Sequence, residues 1–171
     1  MVTIKNGIRL CLIAIAIVFA LAAFMPSASA AELHVGTGQT YSTIQSAINA
    51  ANTVNNTIIV HDDTYKENLV VNKSDLIIRS DNGSSVTFIT SNQTDTHVVN
   101  ITNQTNVTLD NFTIRDAYGA NKDVAGIYMY NASECTISNN SVTNISAANK
   151  TDANGIWVVM SDNNSFSSHH I

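Results

Sequence analysis

Residues 126–142 and 155–171 are one segment written twice, and nothing else in the chain restricts its fold so tightly. Gly126-Ile-Tyr-Met-Tyr-Asn-Ala-Ser-Glu-Cys-Thr-Ile-Ser-Asn-Asn-Ser-Val142 aligns without a gap on the segment from Gly155 to Ile171, at an offset of 29 residues. Ile127 falls on Ile156, Met129 on Val158, Ile137 on Phe166 and Val142 on Ile171. A third copy lies 28 residues upstream, where Val99, Ile101, Leu109 and Ile114 take the same four positions. The apolar phase is kept while the residues between drift among Ser, Thr, Asn and Asp. A period of roughly 20–50 residues marks a solenoid or array, whose units bury their apolar faces only against one another.

From Thr57 onward the chain consists of short β-rich runs broken by polar turns. They include Thr57–Val60, Leu76–Ser80, His97–Thr102, Gly126–Tyr130 and Gly155–Val159. Most alternate Val, Ile or Leu with Thr, Asn or Ser, the pattern of a half-buried strand. A β-sandwich would also show short alternating strands. It would not show a gapless self-match in phase, so the reading is an all-β coil of parallel strands. Residues 42–51 are the exception. Ser42 and Gln45 form a capping box, and Ile44, Ala47, Ile48 and Ala51 follow helical spacing. The strand Glu32–Val35 and this helix, within residues 31–56, are expected to cap rungs spanning 57–171.

The first 30 residues read as a secretory signal peptide. Lys5 and Arg9 precede an apolar run from Leu10 to Phe24, and Ala28-Ser29-Ala30 supplies small residues before Ala31. The run falls short of the roughly 20 residues of a bilayer span. Removing Lys5 and Arg9 from the eight basic residues leaves six against thirteen acidic ones. That balance disfavours nucleic acid and anionic lipid as partners. Cys11 leaves with the signal peptide, so Cys135 stands alone without a disulfide framework and reads as a small apolar filler.

Thirteen Asn-x-Ser/Thr triplets begin at Asn55, Asn72, Asn82, Asn92, Asn100, Asn103, Asn106, Asn111, Asn131, Asn139, Asn144, Asn149 and Asn163. In an exported protein each is a possible glycan acceptor. The competing reading is that Asn, Ser and Thr simply suit turns. Asn111 and Asn139 align between copies at a turn, where a side-chain ladder is the better reading.

The repeat unit from Gly126 to Asn140 resembles that of right-handed parallel β-helix proteins of the pectate-lyase-like superfamily, and is closest to cell-surface and periplasmic copper-maturation (NosD-type) members. The stretch from Tyr41 to Ala51, followed by Ile58-Ile-Val60 and Thr64-Tyr-Lys-Glu-Asn68, is similar to the superfamily's N-terminal cap and first rung, an opening shared with pectin methylesterases. Asp63 stands where those sequences usually carry Gly. The resemblance implies a right-handed, single-stranded parallel β-helix with a capping α-helix. It does not select an activity, because this architecture hosts lyases, esterases, binders and structural proteins.

Two pairs of residues are candidate site positions. Asp123 and Asp152 each lie three residues ahead of an aligned glycine, so stacking would set them about 4.8 Å apart, one strand spacing. Two such carboxylates must splay into water, share a proton or hold a cation such as Ca²⁺. Tyr128 and Trp157 align on the face opposite the inward residues and could form a platform for a sugar ring. The competing readings are solvated aspartates and aromatics covered by a loop. His34, His61, His97, His169 and His170 share no ligand spacing, so no zinc or copper site is indicated.

The reading is a non-catalytic, exported surface or envelope protein whose partners are cell-envelope polysaccharide or neighbouring surface proteins. The alternatives are the N-terminal part of a polysaccharide lyase or pectin esterase with its active site beyond residue 171, or a periplasmic metal-cofactor maturation accessory. The chain ends at a repeat phase with no cap after it. An uncovered rung offers unpaired backbone groups, so either further rungs or self-association through that end is expected.

Overall fold

The computed structural model describes residues 32–52, 56–148, 150–168 and 170. The predicted signal peptide, Asn55, Asn149, His169 and Ile171 lie outside the described residues. The chain opens with β1 (Glu32–Val35) and helix α1 (Ile44–Ala50). A first rung follows, made of β2 (Asn56–Val60), β3 (Asp63–Lys66) and β4 (Leu69–Val71). The second rung is β5 (Leu76–Ser80), β6 (Thr87–Thr90) and β7 (Val99–Thr102). The third is β8 (Thr108–Asp110), β9 (Thr113–Arg115), β10 (Tyr118–Gly119) and β11 (Val124–Tyr130). The fourth is β12 (Thr136–Ser138), β13 (Ser141–Thr143), β14 (Ser146–Ala147) and β15 (Ala153–Val159), and β16 (Ser165–Ser167) begins a fifth.

All pairings are parallel, and they sort the strands into three long sheets. Sheet I runs β1-β2-β5-β8-β12-β16, sheet II β13-β9-β6-β3 and sheet III β15-β11-β7-β4. The self-alignment matches the observed register. Ile127 pairs with Val99 and Ile156, Ile137 with Leu109 and Phe166, and Val142 with Ile114. Inward side chains therefore form columns along the coil axis. One column runs Leu33, Ile58, Ile78, Leu109, Ile137, Phe166. Cys135 lies in the same core, 1% exposed. Burial pushes its thiol pKa up, so it behaves as an apolar filler.

The richness in Asn follows from the corners. Asn103, Asn106, Asn111, Asn131, Asn139, Asn144 and Asn163 all have positive φ. Among residues with a side chain, Asn tolerates that region best. The amides of Asn106, Asn131, Asn139 and Asn144 then bind the preceding rung, as where Asn139 donates to Asp110 Oδ1 at 2.8 Å and Asn144 to Asp116 Oδ1 at 2.6 Å. Asn140, 1% exposed, accepts from Phe112 N and donates to Leu109 O, which satisfies two buried backbone groups. Asn164 does the same for Cys135 N and Ala132 O.

The helix starts one residue later than its capping box predicts. Thr43, not Ser42, is the N-cap and accepts from Ser46 N at 3.1 Å. The first-turn N–H groups of Ile44 and Gln45 go instead to the Glu67 carboxylate, both at 2.9 Å. This frees the Gln45 side chain to donate to Val70 O and accept from Val70 N. A side-chain amide thus stands in for a missing strand along the edge of β4. Ile44, Ala47 and Ile48 are fully buried beneath the helix, as their spacing predicts. Tyr65 closes the first rung from inside by donating to His61 O at 2.8 Å. Burial, then the carboxylates of Asp63, Glu67 and Asp62, push its pKa up to about 12.

Candidate functional site

Sheet III presents one set of apolar residues inward and a different set outward, because successive strand residues face opposite sides. Leu69, Val71, Val99, Ile101, Ile127 and Met129 are buried, at most 1% exposed. The outward row is Val70, Asn100, Tyr128 and Trp157, in register across four rungs. Tyr128 and Trp157 meet edge to face, with ring centroids 5.1 Å apart and an interplanar angle of 67°. Both are half-buried, so part of each side chain is open to solvent.

A residue that the repeat did not single out completes the row. His97, just ahead of β7, stacks on Tyr128 with centroids 4.3 Å apart and an interplanar angle of 13°. It also meets the edge of Trp157 at 6.0 Å. The 28-residue offset aligns His97 with Ala125, so alignment gave no hint of contact with Tyr128. The backbone supplies the reason: Ala125 N donates to His97 Nδ1 at 3.0 Å and holds the ring over the next rung. Burial lowers the His97 pKa, with Asp123 opposing. The ring is therefore neutral near pH 7, and with Nδ1 accepting, its proton sits on Nε2. Beside it lies a groove of about 230 Å³ lined by Asn68, Val70, Gln93, Asp95, His97 and Asn100. Together these make an aromatic shelf with a polar trough along one side.

Asp123 and Asp152 are stacked on successive rungs, as the aligned glycines predict, and both are exposed. The contact between them is not between carboxylates. Asp123 Oδ1 accepts from Asp152 N at 2.8 Å, so that carboxylate extends the ladder. Asp95 is committed more heavily. Its Oδ1 accepts from Ala120, Asn121 and Lys122 N at 2.6, 2.8 and 3.2 Å. The Asn121 N–H, followed by its side chain and the other two, holds the Asp95 pKa below the usual carboxylate value.

Two other places bring polar groups together or form a hollow. His34 Nδ1 lies 3.1 Å from His61 Nε2 in a stacked pair, with Glu32 and Asp81 on the outer nitrogens. Those carboxylates point away from the shared nitrogens, and among the described residues no three His, Cys, Asp or Glu side chains converge as metal ligands. A hollow of about 340 Å³ near the last rungs is lined by Val142, Thr143, Asn144, Ile145, Gly155 and His170. No carboxylate, lysine or arginine lines it, so it offers little chemistry.

No known family profile matches the chain. Among solved structures, a pectin methylesterase determined with a bound hexasaccharide superposes on 83% of this chain and 49% of its own, with a TM-score of 0.60 and 14% identity. The chain is a right-handed parallel β-helix. At that identity the likeness establishes the fold and nothing of the esterase's chemistry. A pectin methylesterase from Aspergillus niger matches 82% of the β-helix at 20% identity and a TM-score of 0.46. In sequence, the β-helix is 39% identical over 119 residues to a cell surface glycoprotein of Methanothermus fervidus. The match takes in 68% of this chain but spans only 18% of that relative.

Proposed function

We propose that this β-helix is a non-catalytic module of a cell-surface protein, and that the outward face of sheet III binds neutral envelope polysaccharide. The observation that carries the reading is the His97–Tyr128–Trp157 row beside the groove of Asn68, Val70 and Asn100. Pyranose rings present C–H faces that pack on aromatic rings, and the hydroxyls on their rims need polar partners close by. Here His97 Nε2–H, Asn100 and Gln93 offer such partners. Asp95, Asp123 and Asp152 border the face, which disfavours uronates and other anionic polymers. The carboxylates of Asp95 and Asp123 are spent on backbone N–H groups, so they are poorly placed to act as acid and base. A surface location is supported by the sequence relative, whose name describes a cell surface glycoprotein. The wider activity and partners of whatever protein contains this module belong to the same proposal.

The test uses the single tryptophan of the chain as its own probe. Protein made in a host without N-glycosylation is titrated with neutral hexasaccharides released from the envelope, following Trp157 emission and heat. Binding with a shift in emission is expected. Tyr128→Ala should weaken it about tenfold, the value of one aromatic contact of about 1.4 kcal/mol. Absence of both heat and emission change up to millimolar sugar would overturn the reading.

A further inference from the structure

The sugar-facing row contains a sequon, and this sequon differs from the others. Asn100-Ile101-Thr102 lies inside β7, whereas no other described Asn-x-Ser/Thr asparagine falls within a strand. Strand alternation puts Asn100 and Thr102 on the same outward face, and Thr102 Oγ1 donates to Asn100 Oδ1 at 2.6 Å. Seven of the other described sequon asparagines give their side-chain nitrogen to an acceptor, whereas Asn72, Asn103 and Asn163, all outside the strands, do not. Asn106 gives its Nδ2 to Asp75, Asn111 and Asn139 to Asp110, Asn131 to Asn103, and Asn144 to Asp116. Asn82 and Asn92 likewise donate to Asp62 and to Lys66 O. A glycan on any of these replaces an N–H at a nitrogen already holding the fold. Asn100 gives its Nδ2 to no acceptor among the described residues, so substitution there costs the ladder nothing.

Register then decides where such a glycan would lie. Tyr128 stands directly beside Asn100 on the next rung, and Trp157 beside Tyr128 on the one after. Those steps are about 4.8 Å each, comparable to the length of a pyranose, so the first two sugars extended along the coil axis would cover the two rings in turn. We infer that Asn100 carries an N-linked oligosaccharide whose first sugars pack on Tyr128 and Trp157, so that the protein's own glycan occupies the sheet III face. The inference rests on the reading that this face accepts sugars, and it adds a control. A tethered sugar competes with free polysaccharide at a high effective concentration, so occupancy at Asn100 sets whether the face is open.

Two measurements test it. Glycopeptide mass spectrometry on the protein isolated from its own envelope reports whether Asn100 is occupied. Trp157 emission is then compared between the glycosylated protein and its Asn100→Gln and Thr102→Ala variants, which lose the same glycan by different substitutions. Asn82→Gln, at an exposed sequon between β5 of sheet I and β6 of sheet II, is the control. Loss of the Asn100 glycan should red-shift Trp157 emission in both variants, and the control should not. In Thr102→Ala, which keeps the Asn100 side chain, affinity for the neutral hexasaccharide should rise about tenfold, as when a ligand tethered at millimolar effective concentration is removed. An unoccupied Asn100, or occupancy with no change in emission, overturns the inference. In either of those cases, hexasaccharide binding would still uphold the polysaccharide reading. Conversely, an emission shift with no hexasaccharide binding to any form would sustain the tethered glycan and remove external polysaccharide.

Discussion

The two ends of the β-helix share one column of side chains and treat it differently. In sheet I that column runs from Leu33 to Phe166. Ile58, Ile78, Leu109 and Ile137 are 0% exposed, whereas Phe166 is 42% exposed. In sheet III, Met129 is 0% exposed and its partner Val158 is 40% exposed. The residues are alike in chemistry and phase. What differs is the number of neighbouring rungs, so burial in this fold belongs to the stack and not to the residue. At the first rungs α1 supplies the missing neighbour. Ile44, Ala47 and Ile48 cover the core, Gln45 pairs with the open edge of β4, and Lys73 collects the helix's last carbonyls at Asn49 and Ala51. Among the described residues nothing plays that part over β15 and β16.

The sharpest way to break this comparison is to truncate the same column in its middle and at its end. Leu109→Ala removes a side chain packed between two rungs and should cost about 3–4 kcal/mol in urea unfolding. Phe166→Ala, despite the larger side chain, should cost only about 1 kcal/mol because much of the ring is already in water. Equal losses would show that the last rung is covered in solution, by a second copy or by another chain, and dilution would then separate those two cases.

Gly126→Ala probes rung spacing and ranks next. A Cβ there would lie 2.3 Å from Val142 Cγ1 and 2.8 Å from Gly155 O. Both contacts are with the fourth rung, through β13 and β15. Overpacking of this kind costs about 2–3 kcal/mol. If the fourth rung is as loosely held as its exposure suggests, part of that cost disappears by shifting β15. Hydrogen exchange would then show faster opening in β15 than in β7 on the other side of β11. Uniform protection across both would mean that the fourth rung is as firmly held as the second.

How much of this was legible in the residues follows the same division. Where two copies align, the sequence alone sets the pairing, and Ile127, Ile137 and Val142 sit in the predicted register. The stacking of Asp123 on Asp152 and of Tyr128 on Trp157 was readable for the same reason. Short elements escaped because they carry no apolar period: β3, β10 and β14 are two to four residues long. The helix N-cap was misassigned by one residue because Glu67, 22 and 23 residues away, supplies the acceptors that a local box would have supplied. His97 was missed because its ring crosses between rungs diagonally, a contact set by one backbone N–H and invisible to alignment. The carboxylate of Asp123 went to a backbone N–H, a partner present at every position and marked by no residue type.

The smallest expected effect concerns how firmly successive rungs are latched. Asp95 binds three backbone N–H groups of the next rung's loop, whereas Asp123, one rung later, binds a single one. Because the folded pKa of Asp95 is depressed, its contribution is full above the unfolded carboxylate value. It is lost as pH falls through the folded value. Acid should therefore release the loop at Ala120–Lys122 before the coil itself unfolds. Amide exchange at Ala120, Asn121 and Lys122 should quicken only as pH falls from the usual carboxylate range towards the lower folded value of Asp95, after correction for intrinsic rates. Asp95→Asn should abolish that pH dependence and exchange fast throughout. The Asp152 amide, held by one bond, should be less protected than Asn121 at every pH above that range. Equal protection of the two would mean that the latches are alike, leaving the cover that α1 gives the first rungs, and that no described residue gives β15 and β16, as the whole difference between the ends.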